Sequence, residues 1–299
     1  MSFSRSVKQE ILKKLRRKSC CARAFLCAVL KGGGSLLLSQ GKVGFVVETD
    51  SAPLAETSCR FAEEFFHEQS EVLEVQGGTG KKYSCRWNAT LGEKLQIEDV
   101  ELSTERECCQ KAFMQGLFAV CGSVSIPQTQ DALFGQSAHS NYHLELRFSD
   151  GDFATFVQQK YDFLQFKSVQ RKNGVVLYLK EGEKISDFLT YIEAVKGKFT
   201  VDNVIIGRSF RNKANRQRNC IDSNIEKSVL AGAKQLADVE KIRRAGRFNS
   251  LPEGLRQAAE AREQHPDANL AELAALLGIS KSGVNHRLAK IAEIAAQIN

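Results

Sequence analysis

The clearest hydrophobic pattern in the chain lies in its last thirty residues, Asn269 to Asn299. Leu270, Leu273, Ala274 and Leu277 recur at i, i+3, i+4 and i+7, which is one face of a helix. After Gly278-Ile279-Ser280 the same period returns in Val284, Leu288, Ile291 and Ala295. Gly278 supplies the residue that tolerates φ > 0 and closes the first helix. Ser280 is placed to accept from the N–H groups that open the second. Two short helices joined by a three- to four-residue turn containing Gly make a helix-turn-helix, expected over 269–292. In front of it, SLPEGLRQAAEAREQHP reads as a supporting helix opening at Ser250-Leu251-Pro252, with Pro at an N1-like position. Leu255, Ala258, Ala259 and Ala261 form its modest apolar face, and His265-Pro266-Asp267 ends it.

Upstream the periods alternate between helix and strand. Residues 3–17 form an amphipathic helix through Val7, Ile11, Leu12 and Leu15. ARAFLCAVLKGGGSLLLS is an apolar helix closing on a glycine run, GKVGFVVETD a strand, and SAPLAETSCRFAEEFF a helix capped by Asp50 or Ser51. SEVLEVQ and KKYSCRW, joined by GGTGK, read as a hairpin. A second copy follows. KAFMQGLFAVCGSVSI (111–126) repeats RAFLCAVLKGGGSLLL (23–38) at a shift of 88, with Phe113, Gly122 and Ser123 over Phe25, Gly34 and Ser35. Asp150 falls over Asp50 at a shift of 100, and Gln170 and Gly174 over Gln76 and Gly80 at a shift of 94. The extra length lies in the polar, turn-rich loop 127–141. The fold class expected is a pseudo-symmetric α+β domain of two αββαββα repeats, followed by an all-α helix-turn-helix domain. The boundaries expected are 1–98 and 99–205 for the repeats, 206–222 for a basic connector and 223–299 for the helical domain, whose first helix runs from Ser223 to Arg247.

Composition narrows the partners. With 42% hydrophobic and 26% charged residues the chain is of ordinary globular type. No run approaches 18 apolar residues and no leader peptide is read at the N-terminus, so no membrane association and a cytoplasmic, nucleoid-associated location are expected. The net charge of +7 is uneven. From Ile206 onward 16 basic residues face 10 acidic ones, residues 1–24 hold 8 against 1, and the middle is left at −6. A basic C-terminal third fits contact with nucleic acid. The nine cysteines include the adjacent pairs Cys20-Cys21 and Cys108-Cys109 but no CxxC. They read as free thiols; no zinc ribbon, metal or cofactor is expected.

The opening helices of the two copies, FLCAVLKGGGSL (25–36) and FMQGLFAVCGSV (113–124), resemble the LAGLIDADG motif of homing endonucleases. Small residues at Ala28, Gly32, Gly116 and Val120 suit two helices packed side by side. In those nucleases, an acidic residue just before the final glycine of each motif holds the divalent metal, for which a hard cation needs carboxylate oxygens. Here the corresponding positions are Gly33 and Cys121. The resemblance therefore implies a scaffold whose catalytic positions are degenerate, with no catalytic residue and no metal at this place.

RSFRNKANRQRNC (208–220) holds Arg208, Arg211, Lys213, Arg216 and Arg218 and no acidic residue. Their spacing scatters them around a helix. The stretch is either a solvated tether or a phosphate track, and the asparagines at 212, 215 and 219 favour the track. In the second helix of the turn motif, inward Val284, Leu288 and Ile291 leave Ser282, Asn285, His286 and Ala289 outward. Lys281, Arg287 and Lys290 flank them, beside Ser280 at the start of the helix. Asn suits adenine N6/N7, and Lys or Arg suits guanine O6/N7. His286 stays open between base reader, phosphate donor and solvent-facing residue.

Taken whole, the chain resembles the WhiA family of regulators from Gram-positive bacteria. ISKSGVNHRLAKI (279–291) is similar to the family's C-terminal signature and NRQRNCIDSNIEKSV (215–229) to its asparagine-rich connector. SFSRSVKQEIL, CCQKAFMQGLFAVCGSVS and YLKEGEKISDFL (178–189) resemble further segments. The departures are the longer loop at 127–141 and the glycine-rich KGGGS. The resemblance implies a non-enzymatic, sequence-specific transcription regulator that binds promoter double-stranded DNA and affects cell division, chromosome segregation or sporulation. The acidic middle leaves the N-terminal domain for DNA or for a protein partner such as another regulator or RNA polymerase. The competing expectations are a DNA-cleaving enzyme of the LAGLIDADG type and a nucleoid-associated protein without sequence preference.

Overall fold

A computed structural model describes residues 2–39, 42–77, 80–127 and 141–298. It divides into two compact units, residues 1–208 and 209–299. Residues 128–140 of the expected long loop lie outside the described residues.

The first unit opens with α1 (Phe3–Lys14), capped by Ser2 and burying Val7, Ile11 and Leu12. The first repeat is α2 (Ser19–Gly33), β1 (Gly34–Ser39), β2 (Lys42–Thr49), α3 (Ala52–Phe66), β3 (Glu71–Gly77), β4 (Gly80–Asn88) and α4 (Ala89–Leu95). The second is α5 (Glu107–Cys121), β5 (Gly122–Ser125), β6 (His143–Phe148), α6 (Gly151–Lys160), β7 (Lys167–Arg171), β8 (Gly174–Leu179) and α7 (Gly182–Tyr191). Both sheets are antiparallel, in the orders β1-β2-β4-β3 and β5-β6-β8-β7. The expected αββαββα order therefore holds in both copies. The opening helices are shorter than expected. Each turns directly into strand at Gly34 or Gly122, where the cap N–H bonds to the carbonyl of Leu30 or Phe118.

The register also corrects the alignment of the copies. Gly34 pairs with Val47 and Gly122 with Leu146, a shift of 99 on the second strand. Ser51 and Asp150 are the two N-caps, again 99 apart, so Asp150 corresponds to Ser51 and not to Asp50. Capping sets the equivalence, since a short polar side chain must accept from the first-turn N–H groups. The shift of 94 holds at the hairpin tips, where Gly80 pairs with Gly77 and Gly174 with Arg171. Further along, Cys85 and Leu177 face Val47 and Leu146 and are 92 apart, because β4 is the longer strand. Gly174 has φ +130°, and a Cβ there would meet the Phe148 carbonyl oxygen at 1.9 Å, so no other residue fits.

The core of this unit runs along the seam between α2 and α5. Residues 21, 22 and 24–30 of α2, and Cys109, Ala112 and residues 113–119 of α5, are buried. Phe25 meets Phe61 edge-on at 5.7 Å and Phe113 meets Phe153 at 6.3 Å, so each opening helix is locked onto the helix that follows it. Close approach of the backbones is forced by small residues. A Cβ on Gly116 would lie 2.7 Å from the Phe25 carbonyl and 2.9 Å from the Ala28 Cβ. Near the other end Gly32 faces Leu117 and Val120. Ala28 and Gly116, and Gly32 and Val120, are 88 apart, so the contacts obey the repeat's own pseudo-dyad.

Residues 195–244 form one helix, α8 (Val195–Arg244), and the boundary between the units falls inside it. The connector expected at 206–222 and the helix expected from Ser223 are therefore one element. Residues 208–220 carry no Pro or Gly, and four Arg with one each of Ala, Lys and Gln are good helix formers, so nothing in them stops a helix. The second unit continues with α9 (Glu253–Gln264), α10 (Leu270–Leu277) and α11 (Lys281–Ala296) around Val239, Ile242, Phe248, Leu273, Val284, Leu288 and Ile291. Pro252 is the N-cap of α9 rather than its first residue. No described helix is long and apolar enough to cross a membrane.

Candidate nucleic-acid interface

The ends of α10 and the start of α11 are set by three local devices. Asn269 and Glu272 form a reciprocal capping box at the start of α10, Asn269 Oδ1 accepting from Ala271 and Glu272 and the Glu272 carboxylate accepting from the Asn269 N–H at 2.8 Å. Gly278, φ +63°, closes α10 in the left-handed region, its N–H donating to carbonyls of the last turn. Ser280 caps α11, its Oγ accepting from the Gly283 N–H at 3.1 Å. Val284, Leu288, Ile291 and Ala295 are buried, so the orientation of α11 about its own axis is fixed by packing.

That orientation leaves Ser280, Lys281, Ser282, Asn285, His286, Ala289 and Lys290 exposed. Ser282 lies 3.1 Å from the Ser280 hydroxyl and Lys290 donates to Glu293 at 2.7 Å, both contacts at the surface. Arg287 is the exception among the candidates. It is half-buried, its Nη1 donates to the Gly254 carbonyl at 3.2 Å, and its guanidinium covers Gly254 so closely that a Cβ there would lie 3.1 Å away. Its placement ties α11 to the first turn of α9. Sequence reasoning took it for a flanking charge because periodicity alone does not show where a long side chain folds back.

Arg262 has the same character and was missed. It is only 3% exposed, and its Nη1 donates to the carbonyls of His265, Pro266 and Ala268, at 3.4, 3.1 and 2.6 Å. It holds the bend between α9 and α10. The signal was present: Arg262 falls at i+4 and i+3 from Ala258 and Ala259, on the buried face. Arg243, stacked 3.5 Å over the Phe248 ring and doubly bonded to Glu263 at 2.7 Å, braces α8 against the same helix.

Of the basic residues leading up to the middle of α8, Arg208 and Arg211 are half-buried, whereas Lys213, Arg216 and Arg218 are exposed. Arg208 lies 5.2 Å from the centre of the Tyr142 ring. At roughly 100° per residue the five charges spread around the helix. Residues 212–220 are exposed on every side.

Gly33 and Cys121, the two positions expected to be degenerate, are the last residues of α2 and α5. A Cβ on Gly33 would come within 2.2 Å of Val120 Cγ2. Cys121 Sγ bonds to the Leu117 carbonyl at 3.2 Å, and burial pushes its thiol up to about 12, so it stays protonated. The nearby ammonium is Lys8, whose own pKa burial lowers. A cation and a neutral thiol are a poor setting for Mg²⁺.

The comparisons agree along the whole chain. Family profiles described as the WhiA N-terminal LAGLIDADG-like domain, the WhiA LAGLIDADG-like domain and the WhiA C-terminal HTH domain match residues 19–95, 110–211 and 214–295. A protein of Brevibacillus brevis named "Probable cell division protein WhiA" is 35% identical, covering 100% of this chain and 98% of its own length. One of the same name from Lachnoclostridium phytofermentans is 34% identical over 99% of this chain and 98% of its own. The crystal structure of full-length DUF199/WhiA from Thermatoga maritima covers 100% of this chain and 99% of that one, with a TM-score of 0.62 and 21% identity. Order of repeats, the closing helix-turn-helix and identity across the full length converge: the chain belongs to the WhiA family.

Proposed function

We propose that this protein is a sequence-specific DNA-binding regulator of genes for cell division, chromosome segregation or sporulation, and that its endonuclease-like domain does not cleave DNA. The observation that carries the reading is α11. It is fixed in rotation by four buried apolar residues, and it presents Lys281, Ser282, Asn285 and His286 together at its N-terminal, solvent-facing end. A recognition helix contacts base edges through those first turns. Lys213, Arg216 and Arg218 supply phosphate contacts that position the protein without reading sequence. Arg287 serves the fold of the motif instead.

The second reading, a metal-dependent nuclease, is opposed by Gly33 and Cys121, which offer no carboxylate, and by the ammonium of Lys8. One experiment separates the two. Purified protein is incubated with sheared genomic DNA, with and without Mg²⁺; bound fragments are sequenced and the unbound pool is scored for nicks. Enrichment of a few promoter-containing fragments without nicking supports the regulator. Mg²⁺-dependent cuts abolished by removing the first unit's helix ends, and no enrichment, support the nuclease.

A further inference from the structure

We propose that Cys20, Cys21, Cys108 and Cys109 form a tetrathiolate site for one Zn²⁺ ion, which ties the opening helix of the first repeat to that of the second.

The two cysteine pairs are the second and third residues of α2 and of α5, 88 positions apart and related by the repeat. Packing of the helices along the glycine seam brings their N-terminal ends together, so that all four Sγ atoms lie within 4.8 Å of one another. Among the described residues this is the one such group of potential metal ligands. Within each pair the sulfurs are 4.0 and 3.9 Å apart. A tetrahedron with Zn–S bonds of about 2.3 Å has edges of about 3.8 Å, so two edges already have the required length. A disulfide needs about 2.05 Å, roughly half these separations. The sulfurs also stand too close to enclose a cluster of irons with bridging sulfides, which leaves a single ion. Four soft thiolates in tetrahedral array select Zn²⁺ over the hard cations.

The surroundings suit the charge that would result. Binding displaces the four thiol protons to solvent and leaves a zinc–tetrathiolate centre of net charge −2. Two helix N-termini converge on it, and their partial positive charge favours thiolates. Arg23 and Arg106 border the site in a cavity of about 450 Å³ that reaches Cys20 and Cys109, giving the ion a path from solvent. Cys21 and Cys109 are buried, Cys20 and Cys108 half-buried, which is the exposure of a closed structural site and not of an open catalytic one. The ion would staple together two segments that the chain joins only through the whole first repeat. The sequence hides this, because adjacent cysteines lack the usual CxxC loop; each pair is completed only by its copy.

The test titrates the reduced full-length protein with Co²⁺, then with Zn²⁺. The site predicts one Co²⁺ per chain, with the visible bands and thiolate-to-metal charge transfer of a tetrahedral four-sulfur centre, displaced by Zn²⁺. Mass spectrometry should find that zinc loading slows alkylation of these four of the nine cysteines relative to the zinc-free protein, while buried Cys27 and Cys85 react slowly in both. Cys20→Ser and Cys109→Ser should each weaken Co²⁺ binding at least about tenfold and shift the spectrum to a three-sulfur type. Cys220→Ser, at an exposed position of α8, should change neither. If a cluster variant does not fold, the wild-type spectrum and protection map still decide. Substoichiometric binding, a spectrum of oxygen ligation, or unprotected cluster thiols overturns the proposal. So does a native mass short of hydrogens with no metal, which marks disulfides.

Discussion

At the scale of single residues, two neighbours on α11 have opposite duties. Asn285 is exposed just past the first turn of α11, and the proposed function has it meet a base edge. Asn285→Ala should lower discrimination at one base position by about 1–3 kcal/mol while leaving binding to random duplex nearly intact. Competition titrations against single-base variants of a captured site measure this. Unchanged preference at every position would mean that Asn285 faces no base. Arg287, two residues on, is spent on the Gly254 carbonyl. Arg287→Ala should therefore cost the second unit about 1–2 kcal/mol in urea unfolding and leave the salt slope of DNA binding unchanged. A slope reduced by one unit, with wild-type stability, would return Arg287 to the phosphate-binding set.

At the scale of elements, the seam between α2 and α5 decides the first unit. Replacing an exposed helical Gly by Ala ordinarily gains up to about 1 kcal/mol. Gly116→Ala should do the reverse and lose about 1–3 kcal/mol, since its Cβ would press on the Phe25 carbonyl and the Ala28 methyl. Thermal unfolding gives the sign, and a stabilised variant would show slack in the seam. Glu10 of α1 caps α8, accepting from the N–H groups of Lys196 and Gly197 at 2.9 and 3.1 Å. Burial pushes this carboxyl up, but the two N–H donors and Lys14 outweigh it and hold it below the ordinary 4.5. A carboxyl whose folded pKa is depressed contributes fully above its unfolded value and loses the contribution as pH falls through the folded one. Glu10→Gln should cost about 1–2 kcal/mol at neutral pH, and the difference from wild type should vanish as pH falls well below 4.5. A difference independent of pH would assign the effect to packing. The elements themselves were legible, since Gly278, Ser280 and the apolar periods of α10 and α11 are local signals. Long-range partners were not. The buried face of α9 marks Arg262 locally, but no local pattern shows that Glu10 reaches α8, or that two cysteine pairs 88 residues apart share one point. The copies were visible as copies, yet identity misled their register by one residue where capping, and not Asp over Asp, sets the equivalence.

At the scale of the molecule, charge is unevenly divided along the chain. The basic excess lies in the first 24 residues and from Ile206 onward, and the middle is acidic, so a polyanion is drawn to particular parts of the chain. Because the charges of α8 circle the helix, one duplex meets only some of them. Replacing Arg216 and Arg218 by Ala should weaken binding to all sequences alike and flatten the log K against log salt slope by at most about two units. An unchanged slope would make this stretch a tether. The proposed function places sequence reading in α11. Selection of bound duplexes from a random pool by the full-length protein at moderate salt decides it. One enriched motif is expected, bound at least about a thousandfold tighter than its scrambled form. A selected pool with no motif, retained as tightly as any duplex, would contradict it.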